Sequence, residues 1–100
     1  MLAQANGVVV PTAVETQIVA WTADGSQYFV GFLAEGAAWP HEYRLYVGAT
    51  RVYTYQQAGP GSAYLADRAY RVPVGTVVSL KVLQSTGADA TFSGSILGGI

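Results

Sequence analysis

His41, with Glu42 beside it and Glu35 at the other end of the same segment, is the one place in this chain where acid–base or metal chemistry can be proposed, because it holds the only histidine. The pattern argues against both. Neighbours on an extended chain point to opposite sides, so His41 and Glu42 would not turn to one ion, and one imidazole with two carboxylates is a minimal ligand set. The plain reading is a solvated or interface histidine. The six acids, Glu15, Asp24, Glu35, Glu42, Asp67 and Asp89, form no motif that would place two of them at hydrolase separation. No serine stands in a nucleophile elbow, and Asp24-Gly25 lacks the companion acids of a calcium loop. Gly59-Pro60-Gly61 has no Lys or Ser/Thr in the register of a phosphate loop. The absence of cysteine removes disulfides, thiolate metal sites and thiol catalysis together. The expectation is a non-enzymatic protein with no cofactor and no metal.

What remains is aromatic and cationic chemistry, from seven Tyr, two Trp, three Phe and a few arginines. The stretch Glu42 to Thr54 reads as a hairpin: Tyr43, Leu45 and Val47 alternate against Arg44 and Tyr46, and Val52 and Thr54 alternate against Arg51 and Tyr53. With Gly48 and Ala49 as the two loop residues, a type II′ turn is favoured, since Gly at the first central position accepts the positive φ that suits strand twist. In that register Tyr46 faces Arg51, Arg44 faces Tyr53 and Glu42 faces Tyr55 on one side, while Leu45 faces Val52 on the other. One face is core-like. The other carries Arg44, Tyr46, Arg51, Tyr53 and Tyr55, a flat polar aromatic surface of the kind found at protein interfaces and sugar-binding platforms. A plain exposed sheet would look the same, because tyrosine is a favoured strand residue. Trp39, which Pro40 pushes towards extended geometry, is a separate anchor on a loop or a cap on the end of the core.

The elements that must position these residues are strands. Val8 to Val10, stopped by Pro11, suits a first or edge strand. Glu15 to Thr22 alternates, Asp24-Gly25-Ser26 turns the chain, and Tyr28 to Ala34 is nearly continuous in apolar residues, as in a central strand. Gly31 within it marks a bulge or a close contact. After the hairpin and the loop Gln56 to Ser62, Tyr64 to Val72 alternates again. Val72-Pro73-Val74-Gly75 fits a type I turn, with Pro second and Gly fourth. Val78, Leu80 and Val82 then alternate with Ser79, Lys81 and Leu83. After a turn from Ser85 to Asp89, a last strand shows Phe92, Gly94 and Ile96 on an apolar inner face. About eight short strands with turn chemistry between them and no sustained helical period predict an all-β fold. The expected architecture is a two-layer antiparallel β-sandwich, jelly-roll or immunoglobulin-like, over residues 1–100 as a single domain, with 1–7 a loose N-terminal arm.

The charged share is 11% against about 25% in ordinary soluble domains, and the net charge is −1. So few charges predict that part of the surface is covered by another subunit or partner, the alternative being a compact monomer whose surface is made polar by Ser, Thr, Gln and Tyr. Five scattered basic residues give no footprint for nucleic acid and no polybasic patch for a membrane surface, and no stretch approaches the length of a membrane helix.

The run from Val72-Pro73-Val74-Gly75-Thr76 through Leu83-Gln84, then Ser85-Thr86-Gly87 and Ala90-Thr91-Phe92-Ser93-Gly94-Ser95-Ile96-Leu97-Gly98-Gly99, resembles the closing hairpin of small β-sandwich accessory proteins of tailed bacteriophage virions. Pro11-Thr12-Ala13-Val14-Glu15-Thr16 is similar to the entry into their first long strand. The resemblance covers about a third of the chain, mainly residues 72–99. It implies a virion location after assembly in the host cytoplasm, homo-oligomers that are often trimers, and the major capsid protein or another virion protein as partner. It also implies a role as a capsid decoration or cement subunit, with a glycan- or receptor-binding module of a fibre or tail as the alternative. No catalytic residues come with it.

Overall fold

The computed structural model describes residues 2–24, 27–36, 38–59 and 64–99, with backbone alone at 27–30, 64–69 and 99. The alternating segments form eight strands: β1 (Ala3–Val10), β2 (Thr16–Thr22), β3 (Gln27–Gly36), β4 (His41–Val47), β5 (Thr50–Gln57), β6 (Tyr64–Val72), β7 (Val77–Gln84) and β8 (Ala90–Gly99). They build two four-stranded sheets, in the orders β1-β8-β3-β6 and β2-β7-β4-β5. All pairings are antiparallel. Every connection crosses from one sheet to the other except the β4–β5 hairpin, which gives the two interlocked Greek keys of a jelly roll. Of the two expected topologies, the strand order selects this one over the immunoglobulin-like arrangement. The connections β1–β2, β3–β4, β5–β6 and β7–β8 therefore gather at one end of a body 41 × 23 × 20 Å, and the other three at the opposite end.

The core lies where the alternation places it. Tyr43 and Leu45 of β4, Val78, Leu80 and Val82 of β7, Phe92 and Ile96 of β8, and Phe32 of β3 are all buried between the sheets. Tyr43 packs against Phe32 and edge-on to Phe92, and its hydroxyl donates to the Ser93 carbonyl at 2.7 Å. That hydroxyl is the polar handle which lets an aromatic this large sit fully inside.

Three local expectations are corrected. Residues 3–7 are not a loose arm: Ala3, Gln4 and Ala5 pair with Ile96, Ser95 and Gly94, and β1 is an edge strand with an irregularity before Val8. The β6–β7 turn is Pro73 to Thr76, closed by Thr76 N–H to Pro73 O at 3.1 Å. Gly75 stands at its third position with φ 87°, which makes it type II and not type I. The Trp39–Pro40 peptide is cis. The hairpin register shifts between Leu45 and Tyr46, with consequences described below. The irregularity expected around Gly31 is present, between Phe29 and Gly31. The expected turn at Asp24-Gly25-Ser26 and the Gly59-Pro60-Gly61 loop lie partly outside the described residues.

At the end where four connections meet, buried Gln84 ties two of them, and its neighbour Ser85 reaches a third. The Gln84 Nε2 donates to Val10 O at 2.9 Å and Ala88 O at 2.7 Å, and its Oε1 accepts from Thr86 N–H and Oγ1–H at 2.8 and 2.7 Å. Its backbone carbonyl accepts from Ala13 N–H at 2.7 Å, and Ser85 N–H donates to Pro40 O at 3.1 Å. Both ends of the amide are satisfied, as burial of such a group demands.

Candidate functional site

The β4–β5 hairpin turns as its sequence dictates: Gly48 has φ 61°, Val47 pairs with Thr50 and Tyr46 with Arg51. Beyond that pair Val52 is an extra residue, so Leu45 pairs with Tyr53, Arg44 with Thr54, Tyr43 with Tyr55 and Glu42 with Gln56. A bulge moves everything past it to the opposite face. Tyr53 and Tyr55 consequently join the inner side, packed against the buried cluster, with the Tyr53 ring edge-on to Phe32 at 5.7 Å. The expected pairs Arg44–Tyr53, Glu42–Tyr55 and Leu45–Val52 do not form. Arg44, Tyr46 and Arg51 remain together on the outer face. Trp39 is half-buried at the sandwich end, and its indole Nε1 is buried without a hydrogen-bond partner.

In place of an aromatic platform, the outer face of β2-β7-β4-β5 carries a charge network. Glu15 Oε2 accepts from Arg44 Nη1 at 2.6 Å and from the Tyr46 hydroxyl at 2.8 Å. Arg44 Nε donates to Glu42 Oε2, Gln56 Nε2 donates to Glu42 Oε1 at 3.0 Å, and Arg51 Nη1 lies 3.6 Å from Glu42 Oε2. Lys81 Nζ stands 3.8 Å from Glu15 Oε1 and 4.3 Å above the Tyr46 ring. The Arg44 hydrogen bond, then that of Tyr46, holds the Glu15 carboxyl below its ordinary range. Gln56, then Arg44, does the same for Glu42, and the two carboxylates push Arg44 up. The Glu15 hydrogen bond raises the Tyr46 phenol. Arg44 thus clamps two acids and keeps the sheet face flat and ordered.

Beside this network, at the end where four connections meet, lies a groove of 630 Å³. Ala13 comes to it from the β1–β2 connection, Pro40, His41 and Glu42 from the start of β4, Gln56, Gln57 and Ala58 from the end of β5, and Leu83, Gln84 and Ser85 from the end of β7. Ala13 holds a left-handed φ of 61°. His41 is 4% exposed, which corrects the expectation of a solvated or interface histidine. Its ring packs edge-on to Phe92 at 5.0 Å and Tyr43 at 5.4 Å. Nδ1 meets the Ala38 carbonyl at 2.6 Å, so the proton of the neutral ring sits there and Nε2 is an acceptor. Nε2 is buried and makes no hydrogen bond. Desolvation dominates the ring's titration and lowers its pKa, against smaller opposing effects of the Ala38 carbonyl and the Gln57 amide. Glu42, on the opposite face of the strand, does not share an ion with it, and among the described residues no three His, Asp or Glu side chains converge on a metal position.

Comparison with family models, curated proteins and solved structures finds no match.

The groove residues Gln56, Gln57, Leu83 and Gln84 went unmarked in the sequence because none belongs to a motif. The burial of His41 did have a signal: the parity that sends Tyr43 and Leu45 inward sends His41 inward too.

Proposed function

We propose that the chain is a non-enzymatic virion structural protein, a capsid decoration or cement subunit that bridges neighbouring shell subunits. The observation that carries this reading is the jelly-roll strand order compressed into 100 residues, an architecture recurrent in viral shell proteins. That support is an analogy of fold, to which the resemblance of residues 72–99 adds. Those residues supply β7 and β8, which lie inside their respective sheets and anchor both layers. The Arg44-clamped outer face, with Tyr46 and Arg51, supplies a rigid contact surface whose side chains lose little freedom on docking. Many copies on one shell add stability that one weak contact does not. The glycan-platform alternative loses its stacking surface on this face, because Tyr53 and Tyr55 point inward.

The test is co-sedimentation with DNA-free shells assembled from a major capsid protein of the same genome. Saturable binding at a fixed copy number, weakened by Arg51→Glu in a variant that keeps its thermal midpoint, supports the proposal. Binding no greater than that of an unrelated protein of similar size overturns it.

A further inference from the structure

We infer that the groove at the four-connection end is a binding site for a neutral saccharide, held by Gln56, Gln57 and Glu42 against a wall of Pro40, Ala58 and Leu83. Its 630 Å³ falls within the range of small-ligand sites, about 300–1,000 Å³. The polar groups that line it are planar and two-headed, amides and a carboxylate, which suits pairs of neighbouring hydroxyls that each donate and accept. Glu42 is already compensated by Arg44 and approached by Arg51, so among the described residues the groove lining offers no uncompensated charge to an ionic ligand. Pro40, Ala58 and Leu83 offer an apolar surface to the C–H face of a sugar ring.

Two further features point to an occupant. The buried Nε2 of His41 is an acceptor without a donor, and Gln57 is its cross-strand partner and lines the groove. With the Gln57 NH₂ turned towards His41 Nε2, the Oε1 is the end left to accept from a ligand hydroxyl. A ligand that fixes Gln57 this way satisfies a buried group that is otherwise unpaired, which makes binding and ordering cooperative. Ala13, on the rim, is held at a strained positive φ by its N–H bond to the Gln84 carbonyl, and backbone strain of this kind collects at ligand sites. The groove borders the Arg44 network, and different variants read the two proposals, Arg51 for shell contact and Gln57 and Ala58 for the sugar, so either can fail without the other.

The experiment is a titration of the ¹⁵N-labelled chain with millimolar neutral oligosaccharides of gluco, galacto, manno and N-acetylglucosamine type, followed by amide shifts. One configuration is expected to move Ala13, Gln56 and Gln57 saturably. Gln57→Leu should then weaken binding about tenfold or more, and Ala58→Trp, a change at an exposed position that fills the groove, should abolish it. Val74→Ser, exposed at the opposite end of the body, should leave binding unchanged. The inference is overturned if no sugar in the panel moves these amides. It is equally overturned if the shifts map away from the groove, to the opposite end of the body or the outer face of β1-β8-β3-β6, or if folded Ala58→Trp binds as well as the parent.

Discussion

A methyl group added at Gly94 would lie 2.6 Å from Leu80 Cδ2, 3.1 Å from Ile18 Cδ1 and 3.3 Å from the Leu33 carbonyl oxygen. The residue is a glycine because β8 here faces Leu80 of β7 and Ile18 of β2 with no room for a methyl group. Gly94→Ala is expected to cost about 1–3 kcal/mol in chemical denaturation, as overpacking of a well-filled core does. His41 sets a second residue-scale expectation. Its folded pKa lies below the ordinary 6.5, so the unfolded chain takes up the proton first as pH falls. The stability linked to it is full above 6.5 and is lost as pH drops towards the folded value. Glu15 and Glu42, both lowered, act in the same direction but only below their ordinary 4.5. Thermal midpoints measured from pH 7 downward should therefore fall in two stages. His41→Gln should remove the first stage and leave the second, and an unchanged first stage would show that the ring is not the group responsible.

At the scale of the strand, the single extra residue Val52 separates a core aromatic from a surface cation. Tyr53→Ala empties space beside Phe32 and should cost roughly 2–4 kcal/mol, whereas Arg51→Ala, 45% exposed, should stay within about 0.5 kcal/mol. Equal small effects would place Tyr53 outside and refute the bulge. Gln84 governs the other end of the fold. Its side-chain amide closes four hydrogen bonds to two connections, and Gln84→Ala is expected to cost on the order of 3 kcal/mol, since it strands buried carbonyls and N–H groups. Faster amide exchange at Thr86 in that variant would show that the hub, and not packing alone, was lost.

For the whole molecule, an accessible surface of 5118 Å² is close to the roughly 5,400 Å² expected of a free-standing protein of this mass. The sandwich closes its own core without a partner. The large apolar side chains most exposed among the described residues, Val9, Val14, Val74 and Val77, occur as one pair at each end of the body and not as one patch. Association is then expected through rigid polar faces, individually weak and additive over many copies. Sedimentation equilibrium should show concentration-dependent assembly towards a trimer. A clean monomer at the highest soluble concentration would sink the homo-oligomer while leaving shell binding to its own test.

The residue pattern alone determined the eight strands, the inward faces of β4, β7 and β8, and the positive-φ turn at Gly48, because period-two alternation and glycine's conformational freedom are local properties. Parity also held the fate of His41, once its strand was known to start at that residue. The order of strands in the sheets, the choice of jelly roll, the bulge at Val52 and the groove are not local. Tyr53 and Tyr55 read equally well on either face of an isolated ribbon, and packing against the buried cluster, Phe32 of the opposite sheet in the case of Tyr53, sets which face they take. The groove arises from side chains of segments between 13 and 85, which come together only when both Greek keys close.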